Sequence, residues 1–141
     1  MTDNFVGFAR SPKADSNRKL NTKEFVVHSD RDFADCHFVF TTKAGLELWL
    51  GEVSKFDFRP GGKTRYQFSG ESYGATYATI RIPKQVILVT ETLGEVTFSA
   101  KVSESSFDLT VSFKKALLPE EVDSWHKSVE EAKDKMAGAM K

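Results

Sequence analysis

The C-terminal segment carries the strongest constraint in this sequence, an apolar stripe at helical spacing. Pro119 suits the first turn of a helix, where the backbone amide has no helical partner. Acidic residues follow it and lysines come near the other end, as the helix dipole favours. From Pro119 to Ala139 such a helix would be on the order of 30 Å long. A stripe of this length needs a broad apolar surface to cover it. The residues of the stripe are Val122, Trp125, Val129, Ala132, Met136 and Met140.

The middle of the chain alternates apolar and polar residues with a period of two. The alternation is clearest in residues 96–102 and 107–113, and it predicts strands with one covered face and one exposed face. Pro60-Gly61-Gly62 predicts a tight turn, because proline presets φ and the glycine after it tolerates a positive φ. Further strands are predicted at residues 23–29, 53–59, 64–68, 75–82 and 85–93.

Two short helices are predicted after the first strand. Asp30 or Asp32 can cap the first of them, and the second runs from Ala44 to Leu50. Since the sheet has one apolar face and the long helix one apolar stripe, each is expected to cover the other. The sequence therefore predicts an α+β fold, with a curved antiparallel sheet of about six or seven strands around the C-terminal helix. The residues at helical spacing in the first short helix are Phe33, Cys36, His37 and Phe40.

The length of 141 residues suits one domain with a substantial core. Residues 1–21 are polar, and we predict a flexible leader there, followed by a single domain over residues 22–141. Phe5, Val6 and Phe8 are apolar exceptions in the leader and are candidates for an extra edge segment.

Charge and cysteine content exclude several classes of protein. The 20 basic and 20 acidic side chains balance, whereas a nucleic-acid binder shows a basic excess. No apolar run reaches the roughly 18 residues that a membrane span requires, and the start of the chain lacks the pattern of a signal peptide. Cys36 is the one cysteine, so no intrachain disulfide can form. We therefore predict a cytoplasmic protein without a nucleic-acid partner or a membrane span.

Five short stretches occur in an order typical of one superfamily. Over residues 23–138 the sequence resembles START-like (helix-grip, SRPBCC) proteins, and more narrowly bacterial proteins related to the C-terminal domain of the activator of Hsp90 ATPase. It departs from them at Leu93-Gly94, a shorter link than is usual, and at Ser105-Ser106 in place of a Gly-Thr pair. The matching stretches are Phe40-Thr41-Thr42, Trp49-Leu50, Phe58-Arg59-Pro60-Gly61-Gly62-Lys63, Pro83 before Val86-Ile87-Leu88, and Phe107-Asp108-Leu109-Thr110-Val111.

The resemblance implies a sheet wrapped around the long helix, with an apolar pocket open near the short helices. It also implies a protein-interaction or co-chaperone-like role as an alternative function. Residues 1–21 are too short to form the separate N-terminal domain of the eukaryotic co-chaperone.

The candidate binding residues are apolar side chains that point toward the space between sheet and helix. They fit two interpretations, a filled core or a pocket for a small hydrophobic ligand or lipid. Trp49 and Tyr66 each join a polar group to an apolar body, and Tyr77, Arg81 and Glu91 are candidate polar anchors. The full set is Phe40, Trp49, Phe56, Phe58, Tyr66, Phe68, Phe98, Leu109, Val111, Trp125 and Val129.

The sequence contains no catalytic, metal-binding or cofactor signature. His28, His37 and His126 form no ligand pattern, and Pro60-Gly61-Gly62 lacks the ending of a phosphate loop. We therefore predict no catalytic residue, metal or cofactor. A cavity enzyme of the cyclase or hydrolase type is the third alternative, with Glu91 and His37 as its candidate acid or base.

Overall fold

The computed structural model describes residues 17–141 and confirms the predicted order of elements and the fold class. Residues 1–16 of the predicted leader, with Phe5, Val6 and Phe8, lie outside the described residues, and residues 19–21 already belong to the first strand. The strands are β1 (Lys19–Ser29), β2 (Glu52–Lys55), β3 (Lys63–Phe68), β4 (Glu71–Arg81), β5 (Gln85–Thr90), β6 (Gly94–Val102) and β7 (Phe107–Leu117). The helices are α1 (Phe33–Cys36), α2 (Phe38–Thr41), α3 (Lys43–Trp49) and α4 (Val122–Ala139), with a 3-10 turn at Pro119–Glu121.

Within residues 17–141 the strands form one curved antiparallel sheet in the order β1-β7-β6-β5-β4-β3-β2. Strands β2 to β7 are a meander, in which each strand pairs with the next one in the sequence. β1 pairs with β7 along its whole length, from Lys19 opposite Leu117 to Ser29 opposite Phe107. The short helices α1 to α3 therefore carry the chain from one edge of an open sheet to the other.

The inner face of the sheet and the stripe on α4 form the core, as the alternation predicts. On β7, Leu109, Val111 and Phe113 have no exposed surface, and they belong to one apolar core with Trp125 and Val129 of α4. Full burial of such side chains contributes roughly 1.5–3 kcal/mol each. The long helix is thus held by its apolar face and leaves its polar face to solvent.

Aromatic rings fill the centre of the space between the sheet and the helices. The rings of Phe40 on α2 and Phe98 on β6 stack with centroids 4.4 Å apart, and Trp49 on α3 packs edge-on against Phe98 at 5.9 Å. The Tyr77 hydroxyl donates a hydrogen bond to the Phe40 carbonyl oxygen at 2.8 Å, which ties α2 to β4. Because its ring is buried, the pKa of Tyr77 is raised above its ordinary value.

The turn at Pro60-Gly61 is confirmed, but the strand before it is shorter than the alternation predicts. Gly61 has φ +80° and the Gly62 amide donates to the Arg59 carbonyl at 2.7 Å, so proline precedes a left-handed glycine. β2 ends at Lys55, and Phe56 and Phe58 follow in a loop. Their rings pack edge-on against Tyr77, at 6.2 and 4.9 Å, instead of taking part in a regular strand.

The first predicted short helix is divided into α1 and α2, and its expected cap is missing. Asp32 occupies the N-cap position of α1 without a capping side-chain hydrogen bond. Thr42 caps α3 instead, since its hydroxyl oxygen accepts a hydrogen bond from the Gly45 amide at 3.0 Å. A hydroxyl in this position satisfies one of the unpaired amides of the first turn.

The exposed His28 on β1 is expected to titrate above its ordinary range. Its Nδ1 lies 2.7 Å from the Asp108 carboxylate on β7 and its Nε2 lies 3.1 Å from Asp30, and hydrogen bonds to these two groups raise the pKa of His28 above 6.5. The interaction therefore stabilises the fold fully below pH 6.5, and this contribution is lost as the pH rises through the raised pKa of the folded state. NMR titration of the ring should show Asp108→Asn lowering the midpoint more than Asp30→Asn. A wild-type midpoint at or below 6.5 would contradict the assignment.

Candidate functional site

A tight turn between β5 and β6 positions one wall of the candidate site. The β5–β6 turn comprises residues 91–93 and is closed by Thr90, whose hydroxyl donates to the Gly94 carbonyl and accepts from the Leu93 amide, both at 3.0 Å. Gly94 has φ +86°, and a Cβ there would lie 2.7 Å from the Cβ of Lys115. Only glycine therefore allows β6 to begin so close to β7.

Three side chains from distant parts of the chain hold the β5–β6 turn in place. The Tyr66 hydroxyl of β3 lies 2.7 Å from the Thr92 hydroxyl and accepts from the Thr92 amide at 3.1 Å. The Lys115 ammonium of β7 donates to the carbonyl oxygens of Glu91 at 2.8 Å and Thr92 at 3.0 Å. The Trp125 indole of α4 donates to the Leu93 carbonyl at 3.1 Å. The turn is thus fixed relative to both the sheet and the long helix.

Burial shifts the pKa values of two of these three side chains. It raises the pKa of the Tyr66 phenol, an effect that the hydrogen bonds with Thr92 oppose. It lowers the pKa of the Lys115 ammonium, which the nearby Glu121 carboxylate opposes. Tyr66 therefore remains a neutral hydroxyl through the physiological range, able to donate and accept at the same time.

A pocket of about 410 Å³ lies beside the β5–β6 turn, along α4 from Ser124 to Lys135. We call it the α4 pocket. One wall comes from the end of α3 and from the hairpin of β3 and β4, and the opposite wall comes from α4 itself. Its apolar lining consists of Trp49, Leu50, Phe68, Tyr73, Leu93, Leu117, Trp125 and Ala132. The two indole rings are buried, with 6% of Trp49 and 4% of Trp125 exposed, whereas Phe68 is 40% exposed at the pocket wall.

The rim of the α4 pocket is charged, with four glutamates and two lysines, and therefore carries an excess of negative charge. Three of these side chains already have partners, and that of Glu91 is the Gly74 amide. Glu121 accepts from the Leu118 amide at 2.8 Å and pairs with Arg18 at 2.6 Å, and the Leu118 amide, followed by Arg18, holds the pKa of Glu121 below its usual range. Lys115 is bound to the turn as described. The rim residues are Glu91, Lys115, Glu120, Glu121, Glu131 and Lys135.

The structure divides the residues that the sequence proposes for the cavity into three groups. Trp49, Phe68 and Trp125 line the α4 pocket. Phe56 and Phe58 are half-buried around Tyr77. The remaining six lie in the core with at most 2% of their surface exposed, and they are Phe40, Tyr66, Phe98, Leu109, Val111 and Val129. The centre is filled because α2 inserts Phe40 against Phe98, so the open space lies to one side of it.

The polar contribution of α4 was not anticipated from the sequence. Ser124, Ser128 and Lys135 flank the apolar stripe and face the pocket. These three residues are four and seven positions apart, and residues at such steps share one side of a helix. This spacing could have predicted that they lie together beside the apolar stripe. The small serine side chains leave the space that the pocket occupies.

Of the two residues considered for acid–base chemistry, only Glu91 reaches the pocket. Its carboxylate accepts a hydrogen bond from the Gly74 amide. The His37 ring lies 3.2 Å from the Thr41 hydroxyl and is not part of the pocket lining. Among residues 17–141, no group of three or more histidine, cysteine or acidic side chains is placed to hold a metal ion.

The surface of the described domain presents its large apolar side chains on separate elements. They are Leu20 and Val26 on the edge strand β1, Leu48 on α3, Phe68 on β3, Ile82 between β4 and β5, Val89 on β5, and Val102 on β6. In the same part of the chain, no helix has the length and apolar content to cross a membrane.

Comparison with solved structures identifies the architecture. No protein-family model matches the sequence, and no curated protein matches it significantly. A Bacillus halodurans protein is similar with a TM-score of 0.72 and 14% identity, over 88% of this chain and 99% of that one. An Arthrobacter aurescens protein gives 0.68 and 16%, over 84% and 85% of the chains. The Aha1 dimer from Colwellia psychrerythraea gives 0.64 and 12%, over 85% and 96%. At these identities the likeness concerns the fold, and this chain has the helix-grip fold.

Proposed function

We propose that this protein binds a small amphipathic molecule in the α4 pocket. The observation that carries the proposal is a pocket of about 410 Å³ whose walls include Trp49 and Trp125. Pockets for small ligands have volumes of roughly 300–1,000 Å³ and combine apolar walls with a few polar groups. Because the centre of the core is filled, we expect the ligand to bind in this pocket and not in a larger internal cavity.

The walls and the rim together define the class of ligand. An apolar ring or short chain would lie against the aromatic lining, and each Å² of apolar surface removed from water contributes roughly 25 cal/mol. A polar group of the ligand would remain at the rim, where Ser124, Ser128 and Lys135 offer hydrogen-bonding groups. A small hydrophobic metabolite or a short lipid with a neutral or basic head group fits this arrangement.

The pocket favours ligand binding over the two alternative functions. A cavity enzyme requires a converging acid and base, and of its two candidates only Glu91 reaches the rim. A co-chaperone-like role is supported by the likeness to the Aha1 dimer and by the Arg59-Pro60-Gly61-Gly62 turn. A pull-down with Hsp90 would separate this role from ligand binding. Failure of the protein to retain Hsp90 would count against the co-chaperone-like role.

Blocking the pocket is expected to weaken ligand binding without unfolding the protein. Ser128 is half-buried on the pocket wall of α4, so Ser128→Phe would place a ring in the cavity. We expect the Kd for Nile red, an uncharged apolar dye, to rise by about tenfold or more, equivalent to ~1.4 kcal/mol. Fluorescence titration measures this change, and native mass spectrometry of freshly purified wild-type protein searches for a natural ligand.

Ser99→Phe is the matched control. It adds the same ring on the exposed outer face of β6, outside the pocket, and should leave dye binding unchanged. Circular dichroism checks that both variants remain folded. The proposal fails if wild-type protein binds neither the dye nor a co-purified molecule, or if Ser128→Phe binds as well as the control.

A further inference from the structure

A lysine interrupts the apolar inner face of β7. The side chains of β7 that point into the core occupy every second position, and Lys115 stands between two of them, the buried Phe113 and Leu117. Lys115 is half-buried there, whereas the preceding Lys114 lies on the outer face and is exposed. A charged side chain among apolar ones is costly unless other groups compensate its charge. The partners of this ammonium therefore need to be identified.

Two backbone carbonyl oxygens use part of the hydrogen-bonding capacity of the Lys115 ammonium. Nζ donates to Glu91 at 2.8 Å and to Thr92 at 3.0 Å, but an ammonium has three N–H groups. In the described part of the chain no carboxylate forms an ion pair with it, and the nearby Glu121 pairs with Arg18. Because burial lowers the pKa of Lys115, these partners do not fully offset the loss of water around its charge. One N–H is thus left for a further acceptor.

The same side chain lines the α4 pocket. Leu93 and Leu117 are next to it in the lining, on the β5–β6 turn and on β7, and both are buried. An apolar molecule in contact with these two leucines would lie beside the Lys115 ammonium. In a site with little water, a hydrogen bond from a charged donor is stronger than one between two neutral groups. An acceptor atom on the bound molecule would therefore add to the binding that the apolar walls provide.

The charges around Lys115 determine which acceptor fits. A carboxylate on the ligand would be repelled by the four glutamates of the rim, which are Glu91, Glu120, Glu121 and Glu131. A basic group would be repelled by Lys115 itself. A carbonyl oxygen avoids both conflicts, because it has no net charge and accepts hydrogen bonds with two lone pairs. The surroundings of the ammonium thus favour an uncharged acceptor.

We propose that the third N–H of Lys115 binds a carbonyl oxygen of the ligand, so that the α4 pocket selects uncharged apolar ketones, esters or amides over hydrocarbons. This inference rests on the proposed function, since it names the polar group by which that ligand is recognised. Lys115 is then a specificity-determining residue as well as an anchor of the β5–β6 turn.

Two uncharged apolar dyes separate these two roles of the lysine. Nile red has a ring carbonyl, whereas diphenylhexatriene is a hydrocarbon without any acceptor oxygen. Lys115→Met removes the ammonium and keeps an unbranched side chain in the pocket wall. Lys114→Met is the matched control, because it makes the same change on the exposed outer face of β7, outside the pocket. Fluorescence titration measures the Kd for each dye, and circular dichroism checks that both variants are folded.

We expect Lys115→Met to raise the Kd for Nile red about tenfold or more, the effect of losing one hydrogen bond from a charged donor. The Kd for diphenylhexatriene should be unchanged, and Lys114→Met should alter neither. Equal weakening of both dyes would overturn the proposal, because Lys115 would then only hold the turn. Unchanged Nile red binding would overturn it as well. If wild-type protein binds neither dye, the proposed function fails and this inference fails with it.

The wild-type protein gives a second measurement if Lys115→Met does not fold. The ammonium loses its proton as the pH rises through its pKa, which burial holds below 10.5. The Kd for Nile red should therefore rise as the pH approaches 10.5 from neutrality, while that for diphenylhexatriene stays constant. A loosened turn would affect both dyes, so the difference between them isolates the carbonyl contact. A Kd ratio of the two dyes that does not change with pH would contradict the proposal.

Discussion

Replacing Phe98 with alanine is expected to lower the free energy of unfolding by about 3–5 kcal/mol. Phe98 is 1% exposed and stacks on Phe40 at 4.4 Å, with Trp49 edge-on at 5.9 Å. Its removal would leave a cavity that α2 and β6 cannot close, because the Tyr77 hydroxyl fixes α2 to the sheet. Urea denaturation followed by circular dichroism measures the change.

Phe68→Ala is the matched control, since the same side chain is removed from the rim of the α4 pocket. Phe68 is 40% exposed, so the loss of stability should be about 1 kcal/mol or less. Its effect should appear in ligand binding, because the ring lines the pocket. A loss below about 1 kcal/mol for Phe98→Ala would mean that the centre of the molecule is not filled as described.

The substitution Gly45→Ala should destabilise the protein by at least about 2 kcal/mol, although alanine is the better helix former. A Cβ at position 45 would overlap the Phe38 carbonyl oxygen and lie 2.7 Å from the Cα of Val39. Both contacts are with the backbone of α2, which cannot rotate away as a side chain would. The close approach of α3 to α2 positions Trp49, so we also expect weaker ligand binding in this variant.

Gly138→Ala makes the same chemical change as Gly45→Ala, but it is expected to change the free energy of unfolding in the opposite direction. Gly138 lies in α4, and a Cβ there would have no neighbour within 4 Å. With no steric conflict, alanine should stabilise the helix by about 0.5–1 kcal/mol. Thermal and urea unfolding of the two variants measure the difference. Equal effects at the two positions would contradict the close packing of α2 and α3.

The elements of this fold were predictable because each carries its own buried face. The alternation in residues 96–102 and 107–113, and the stripe from Val122 to Met140, depend on neighbours in the sequence. The turn at Pro60-Gly61 follows from local backbone preferences, and the structure confirms it. By contrast, the alternation at Phe56 and Phe58 predicted a longer β2, where the rings pack on Tyr77 instead.

The site was less predictable, because it depends on contacts between residues far apart in the sequence. Alternation indicates that Tyr66 and Phe98 face inward, but it cannot show that α2 places Phe40 against Phe98 and fills the centre. Nor does any local pattern connect Lys115 or Trp125 to the β5–β6 turn. Sequence reasoning therefore identified the aromatic residues but not the side of the molecule on which space remains.

The attachment of the β5–β6 turn has a consequence for how long the pocket persists. β5 and β6 can form a hairpin locally, whereas the bonds from Tyr66, Lys115 and Trp125 join residues 23 to 32 positions apart. Contacts of that separation form late in folding, because the intervening chain must be ordered first. A brief detachment of Trp125 would dismantle the pocket while the sheet stays intact, since local openings require less free energy than global unfolding. The lifetime of the pocket is therefore expected to depend on the bonds from Tyr66, Lys115 and Trp125 and not on the stability of the sheet alone.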